Sequence, residues 1–190
     1  MKEKRNGQGM TPFHTAVLDL NFDAVKFLID FGCEINALTT CPLRRNALQL
    51  LFQTHSTENK ETMVSEMLVS ENDSKLVRMV DFLLKSGCHH EYKDNTWNSC
   101  LHFAVSINVY HKIAIISSIL SMRHHDLCCL NEPNEKGASV IHLLCSLDDS
   151  ENNRKCLEMI LEKMKSIGGT LATVHCLLQE TGQVCIVEPP

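Results

Sequence analysis

Aromatic residues are scarce in this chain: Phe, Tyr and Trp make up 5% of 190 residues, and there is a single Trp. Aliphatic side chains must build the interior, and a 44% hydrophobic content is enough for one folded domain with a sizeable core. Long apolar runs are also missing. The longest, such as Ile113-Ala114-Ile115-Ile116, fall far short of the roughly 20 residues a bilayer span needs, so no membrane association is expected. The start Met1-Lys2-Glu3-Lys4-Arg5-Asn6-Gly7 is charged and polar with no apolar stretch behind it, which excludes a secretory signal there and implies an intracellular location, cytoplasmic or nuclear. Positive charge is not in excess: the formal net charge is -5, and the basic residues are scattered, so nucleic acid is not the expected ligand.

Sites for chemistry are equally hard to find. No Cys-x-x-Cys, no His pair at helical i, i+4 spacing and no Gly-rich phosphate loop occurs. The pairs His89-His90, His124-His125 and Cys128-Cys129 are adjacent residues that point to different sides. The strongest metal candidate is the irregular stretch holding His124, His125, Cys128 and Cys129, and a polar loop beside buried thiols explains it as well. Asn72-Asp73-Ser74 fits a glycosylation sequon but reads better as a helix cap in an intracellular chain. No cofactor, metal, small-molecule substrate or catalytic activity is expected.

What the chain does have is a period. Gly9-Met10-Thr11-Pro12-Phe13-His14-Thr15-Ala16 combines a Gly for a tight turn, a capping hydroxyl and a Pro just inside a helix, where its missing N–H costs little. The core of this stretch returns as Leu101-His102-Phe103-Ala104 after Ser99-Cys100, and as Gly137-Ala138-Ser139-Val140-Ile141-His142. A degraded copy, Asn46-Ala47-Leu48-Gln49-Leu50-Leu51, has Gln where the others have His. Anchors at His14, Gln49, His102 and His142 are separated by 35, 53 and 40 residues, a spacing that indicates a solenoid.

The unit resembles the ankyrin repeat, Gly-x-Thr-Pro-Leu-His-x-Ala followed by a second helix with Leu-Leu, then Gly-Ala and a β-turn ending in Asn. Val25 to Asn36 follows that ending, and Leu83-Leu84-Lys85-Ser86-Gly87-Cys88 repeats it, with Cys33 and Cys88 in the place of the Ala. Such cysteines act as small hydrophobes, so most of the ten are expected to be reduced core thiols. The resemblance implies an all-α ankyrin-repeat solenoid of stacked helix-loop-helix units with hairpin-like connections. It also gives the repeated His a structural role, bonding backbone across the turn between neighbouring repeats.

The expected organisation is a charged leader (1-5), a repeat domain (6-165) and a C-terminal cap or tail (166-190). The repeats fall at about 6-37, 38-93, 94-130 and 131-165. In the first, helices are expected from Pro12 to Leu20 and Asp23 to Phe31, with Phe22, Val25, Leu28 and Ile29 facing inward. The second holds 20 extra residues, placed between its helices at 54-74, with Thr54-His55-Ser56 breaking one helix and Glu71-Asn72-Asp73-Ser74 starting the next. Trp97 stands where the motif has Gly, so a distorted turn is expected there, and as the lone Trp it reads equally as an interface anchor or as packing between hairpins. Leu171 to Leu178 is the expected closing helix.

The family's contact positions, carried onto this chain, are Gln8, Met10, Leu18 and Asp19; Pro42, Leu43, Arg45 and Gln53; Asn95, Thr96, Asn98, Ser106 and Ile107; and Glu135, Lys136, Ser146 and Leu147. They mix apolar and polar groups without a dominant charge, which suits a protein partner. The resemblance therefore implies a non-catalytic scaffold that binds a protein on its concave face. Alternatives are an adaptor that recruits substrates to a ubiquitin ligase and a masking inhibitor of a transcription factor. Thr96→Arg with Asn98→Arg is expected to weaken binding without changing the melting curve.

Overall fold

The computed structural model describes residues 4–57, 66–107, 111–122, 130, 132–147 and 149–167, with the backbone alone at 56–57 and 66–73. Among them are four helix pairs: α1 (Pro12–Leu18) with α2 (Phe22–Asp30), α3 (Ala47–Thr57) with α4 (Glu66–Lys85), α5 (Cys100–Ser106) with α6 (Lys112–Leu120), and α7 (Val140–Cys145) with α8 (Glu151–Ser166). No strand occurs among the described residues.

Local chemistry sets the helix ends. Thr11 caps α1, its hydroxyl accepting from the His14 N–H at 3.3 Å, and Pro12 fills the first helical position. α2 is capped by Asn21, whose Oδ1 accepts from the Ala24 N–H at 3.1 Å. It stops at Gly32, whose φ of 77° lets the Cys33 N–H fold back to the Leu28 carbonyl at 3.0 Å. The same bond, Cys88 N–H to the Leu83 carbonyl at 3.0 Å, ends α4.

The short helices form an inner layer in which α1 packs on α3, α3 on α5 and α5 on α7, while the outer layer packs α4 on α6 and α6 on α8. One core runs through both layers. Phe13, Leu48, Leu51, Phe52, Leu76, Met79, Leu83, Ile115, Ile116 and Ile119 are fully buried. Aliphatic side chains fill it, and truncating one of the larger ones to Ala costs about 2–5 kcal/mol. Buried Lys112 is satisfied within it: its Nζ donates to the Val105 carbonyl and to Asn153 Oδ1, both at 2.9 Å, which ties α6 to α8.

Three expectations about the elements need correction. α1 ends at Leu18, and Leu20, expected as its last residue, lies outside it with a φ of 50°. The segment 54–57 continues α3, because the Thr54 hydroxyl bonds back to the Leu51 carbonyl at 2.9 Å instead of breaking the helix. α4 starts at Glu66, upstream of 71–74. Its buried stripe of Leu76, Met79, Val80 and Leu83 anchors the helix, and each further turn upstream then needs little nucleation cost. Most of the inserted segment 54–74 is thus helical; residues 58–65 lie outside the described residues, as do the metal candidate at 124–129 and the closing helix at 171–178.

Candidate protein-interaction surface

The turn before each inner helix is built around one residue with positive φ: Gly9 (75°), Arg44 (48°), Trp97 (63°) and Gly137 (77°). Each lies five residues before the anchoring His or Gln. In three turns an Asn or Asp organises the loop. Asn6 Oδ1 accepts from the Gln8 and Met10 N–H groups, Asp94 Oδ1 from Thr96 and Asn98, and Asn134 Oδ1 from Lys136 and Ala138, all at 2.9–3.1 Å. In the second turn Cys41 holds that position. Burial pushes its thiol up, but the Thr39 hydroxyl, the Leu43 and Arg44 N–H groups and the Arg45 charge outweigh that effect and lower its pKa below the usual value.

The turn at Trp97 is not distorted. Its closing bonds, Asp94 N–H to the Asn98 carbonyl at 3.0 Å and Trp97 N–H to the Asp94 carbonyl at 2.9 Å, match the 2.9 Å pair that closes the Gly137 turn. The Asp94 carboxylate fixes the loop firmly enough for a Trp to occupy the left-handed region, which costs an L-residue roughly 1–2 kcal/mol.

Backbone bonds join neighbouring turns into a row: Thr40 N–H to the Gly9 carbonyl (3.1 Å), Asn95 N–H to Leu43 (3.0 Å) and Glu135 N–H to Thr96 (3.0 Å). The anchors add a second row. His14, His102 and His142 accept the N–H of Thr11, Ser99 and Ser139 through Nδ1, which leaves the ring proton on Nε2. The Ala138 and Glu132 carbonyls of the next turn lie near the His102 ring and favour its charged form, but its buried Nε2 makes no hydrogen bond. Gln49 does bond across with its amide, donating to the Tyr92 and Asn98 carbonyls at 2.7 and 3.0 Å while its Oε1 accepts the Asn46 N–H at 3.1 Å. The bonding across neighbouring turns expected of the His anchors is thus made by the Gln, while His102 bonds within its own turn.

Burial pushes the His102 ring down to a pKa of about 4, helped by the Lys93 charge and partly opposed by the carbonyls and Asp94. Between the second and third turns lies a buried ion pair. Arg45 Nε donates to Asp94 Oδ2 at 2.9 Å, Arg45 Nη1 donates to Gln53, and the guanidinium sits 4.7 Å from the centre of the Phe103 ring.

The structure divides the sequence-derived contact set. Gln8, Asp19, Asn95, Ser106, Glu135, Lys136, Ser146 and Pro42 are exposed, and Met10, Leu18, Leu43 and Leu147 are half-buried. Ile107 is fully buried and Arg45 nearly so, because one packs in the core and the other neutralises Asp94; neither is a surface residue. Gln53, Thr96 and Asn98 are committed to internal bonds: Thr96 Oγ1 donates to Asp94 Oδ1 at 2.7 Å, Asn98 Nδ2 donates to Thr96 Oγ1 at 2.8 Å, and Asn134 Nδ2 donates to Asn98 Oδ1 at 2.9 Å. Thr96→Arg with Asn98→Arg would break this network and so lower the melting temperature, contrary to the expectation from sequence.

The residue absent from that set is Trp97, 60% exposed at the tip of the third turn with Lys93 Nζ 5.4 Å from its ring centre. Being the chain's single Trp, and standing in a Gly position, was its signal in the sequence.

Among the described residues no group of three or more His, Cys, Asp or Glu side chains is arranged to hold a metal ion, and no helix is long and apolar enough to cross a membrane. Paired helices stacked in two layers, joined by turns that bond to one another, define a helical repeat protein. Residues 8–37 match the ankyrin repeat family, so the first pair with its turn is similar to an ankyrin repeat, and with the pairs stacked on it forms an all-α ankyrin-like array. Repeats of this family are in general protein-interaction modules and typically non-catalytic. No curated protein matches the chain.

Proposed function

We infer that this chain is a non-catalytic scaffold that takes a protein partner on the surface made by its turn tips and inner helices. Trp97 carries the reading: a large aromatic 60% exposed and held at a φ of 63°, where Gly would be relaxed, combines hydrophobic exposure with backbone strain. Contact with a partner relieves the first, and Trp is among the residues most often found as binding anchors. Exposed Asn95 in the same turn and exposed Glu135 in the next, whose N–H bonds the Thr96 carbonyl, supply polar rim, and half-buried Leu43, whose carbonyl accepts the Asn95 N–H, lies on the turn before. The partner face is mixed in charge, which favours a protein over a polyanion.

Trp97→Gly separates binding from folding. Capture of interacting proteins by wild type and by this variant in parallel, with each partner titrated against both purified chains, should show binding weakened by about tenfold or more. The melting temperature should hold or rise, because the turn relaxes. Partners bound equally by both chains would overturn the assignment of this surface.

A further inference from the structure

The first helix pair carries a second exposed apolar group. Phe27 on α2 and Phe31, the residue that caps the C-terminus of that helix, are 58% and 76% exposed, and their ring centres lie 4.4 Å apart. Phe27 lines an open groove of about 800 Å³ together with Met10, Ala16, Ala24 and Leu28. Register shows what such a position does inside the stack. Phe82 is the counterpart of Phe27, since both lie five residues before the Gly that ends their helix, and Phe82 packs edge-on against Phe22 of the preceding pair at 6.2 Å. The same position therefore makes an inter-pair aromatic contact within the array and has none at its first pair.

The inner helix departs from that pattern. Thr15 and Asp19 face the groove from α1, where the later pairs have Leu50, Phe103 and Leu143 in the register of Thr15. This face thus has a polar residue at one register position where the later pairs are apolar, while Pro12 and Ala16 of α1 and Ala24, Phe27 and Leu28 of α2 keep the groove apolar at its centre. Its charges are also divided. Lys4 and Arg5 line the groove beside the turn before α1, and Asp19, which caps the end of α1, and Asp23, in the first turn of α2, line it about 10 Å further on for a seven-residue helix.

We propose that this face is a homodimer interface, in which α2 of one copy packs antiparallel on α2 of a second. A two-fold axis midway between Phe27 and Phe31 sets each copy's Phe27 ring against the other copy's Phe31, and it sets the Lys4 and Arg5 end of each copy against the Asp19 and Asp23 end of the other. A patch that is apolar at its centre and opposite in charge at its two ends is complementary to itself under that operation. A further pair stacked in the same direction would meet polar Thr15 and Asp19 instead.

Sedimentation equilibrium of the chain from micromolar to submillimolar concentration tests this. A reversible dimer is expected, with Phe27→Glu weakening self-association by about tenfold or more while the melting of the diluted chain is unchanged. Lys4→Glu should weaken the dimer, and adding Asp19→Lys should restore it, because each exchanged charge meets the other across the axis. A monomer throughout the range, or a dimer indifferent to Phe27→Glu, overturns the interface. Failure of Asp19→Lys to rescue Lys4→Glu overturns the antiparallel arrangement.

Discussion

The first and fourth turns of the array have Gly at the left-handed position, Asn as the loop organiser and His as the anchor; the second has Arg44, Cys41 and Gln49 at those places, and the third has Trp97 and Asp94. By sequence the middle turns are the degenerate ones. In the structure they are the most heavily tied, through Arg45 to Asp94, Gln49 to two carbonyls of the third turn, and Asn46 Nδ2 to the His89 carbonyl at 2.7 Å. Departure from a repeat consensus is therefore a poor measure of local weakness. What a turn loses in preferred residues it can regain in bonds to its neighbour, provided those bonds are buried.

That contrast can be broken most severely at Asp94. Asp94→Ala strands the buried Arg45 guanidinium and removes the acceptor that organises the Trp97 turn, so urea unfolding should show a loss of about 3–5 kcal/mol. A loss below about 1 kcal/mol would mean the pair is screened like a surface ion pair.

Next comes the difference between a His and a Gln anchor. The folded His102 pKa, about 4, lies below the unfolded value of 6.5. The unfolded chain therefore takes up the proton first as pH falls, and the stability due to a neutral His102 is intact above about pH 6.5 and lost progressively down to about pH 4. The loss amounts to up to about 3 kcal/mol at its limit. His102→Gln, which copies the geometry of Gln49, should keep most of the stability at pH 7 and remove this component. The wild-type minus variant difference in urea midpoint across that window isolates it from carboxylate protonation. A difference that does not change with pH would count against a buried neutral ring.

The smallest effect is expected at the left-handed positions. Arg44→Gly, at a φ of 48°, should stabilise by about 0.5–1 kcal/mol by relaxing the backbone, as a rise in melting temperature would show.

Much of this was legible in the sequence. The anchor spacing located the four turns, and the helical spacing of α2 placed Val25 inward, where it is fully buried, with Phe22, Leu28 and Ile29 half-buried beside it. The contact surface was less legible. Asn98, Thr96 and Arg45 look like polar residues of an exposed turn, and only their partners across the neighbouring turns reveal them as internal.

Local pattern by itself determined the helix pairs, their order and their stacked class, because capping residues, turn residues and apolar periodicity act over a few positions along the chain. Tertiary structure alone decided the rest. Arg45 meets Asp94 from 49 residues away and Lys112 meets Asn153 from 41, so neither buried polar pair has a local signature. Exposure too is a property of the assembled array: Phe27 and Phe82 hold equivalent places in their helices, and only one of them has a helix pair stacked before it.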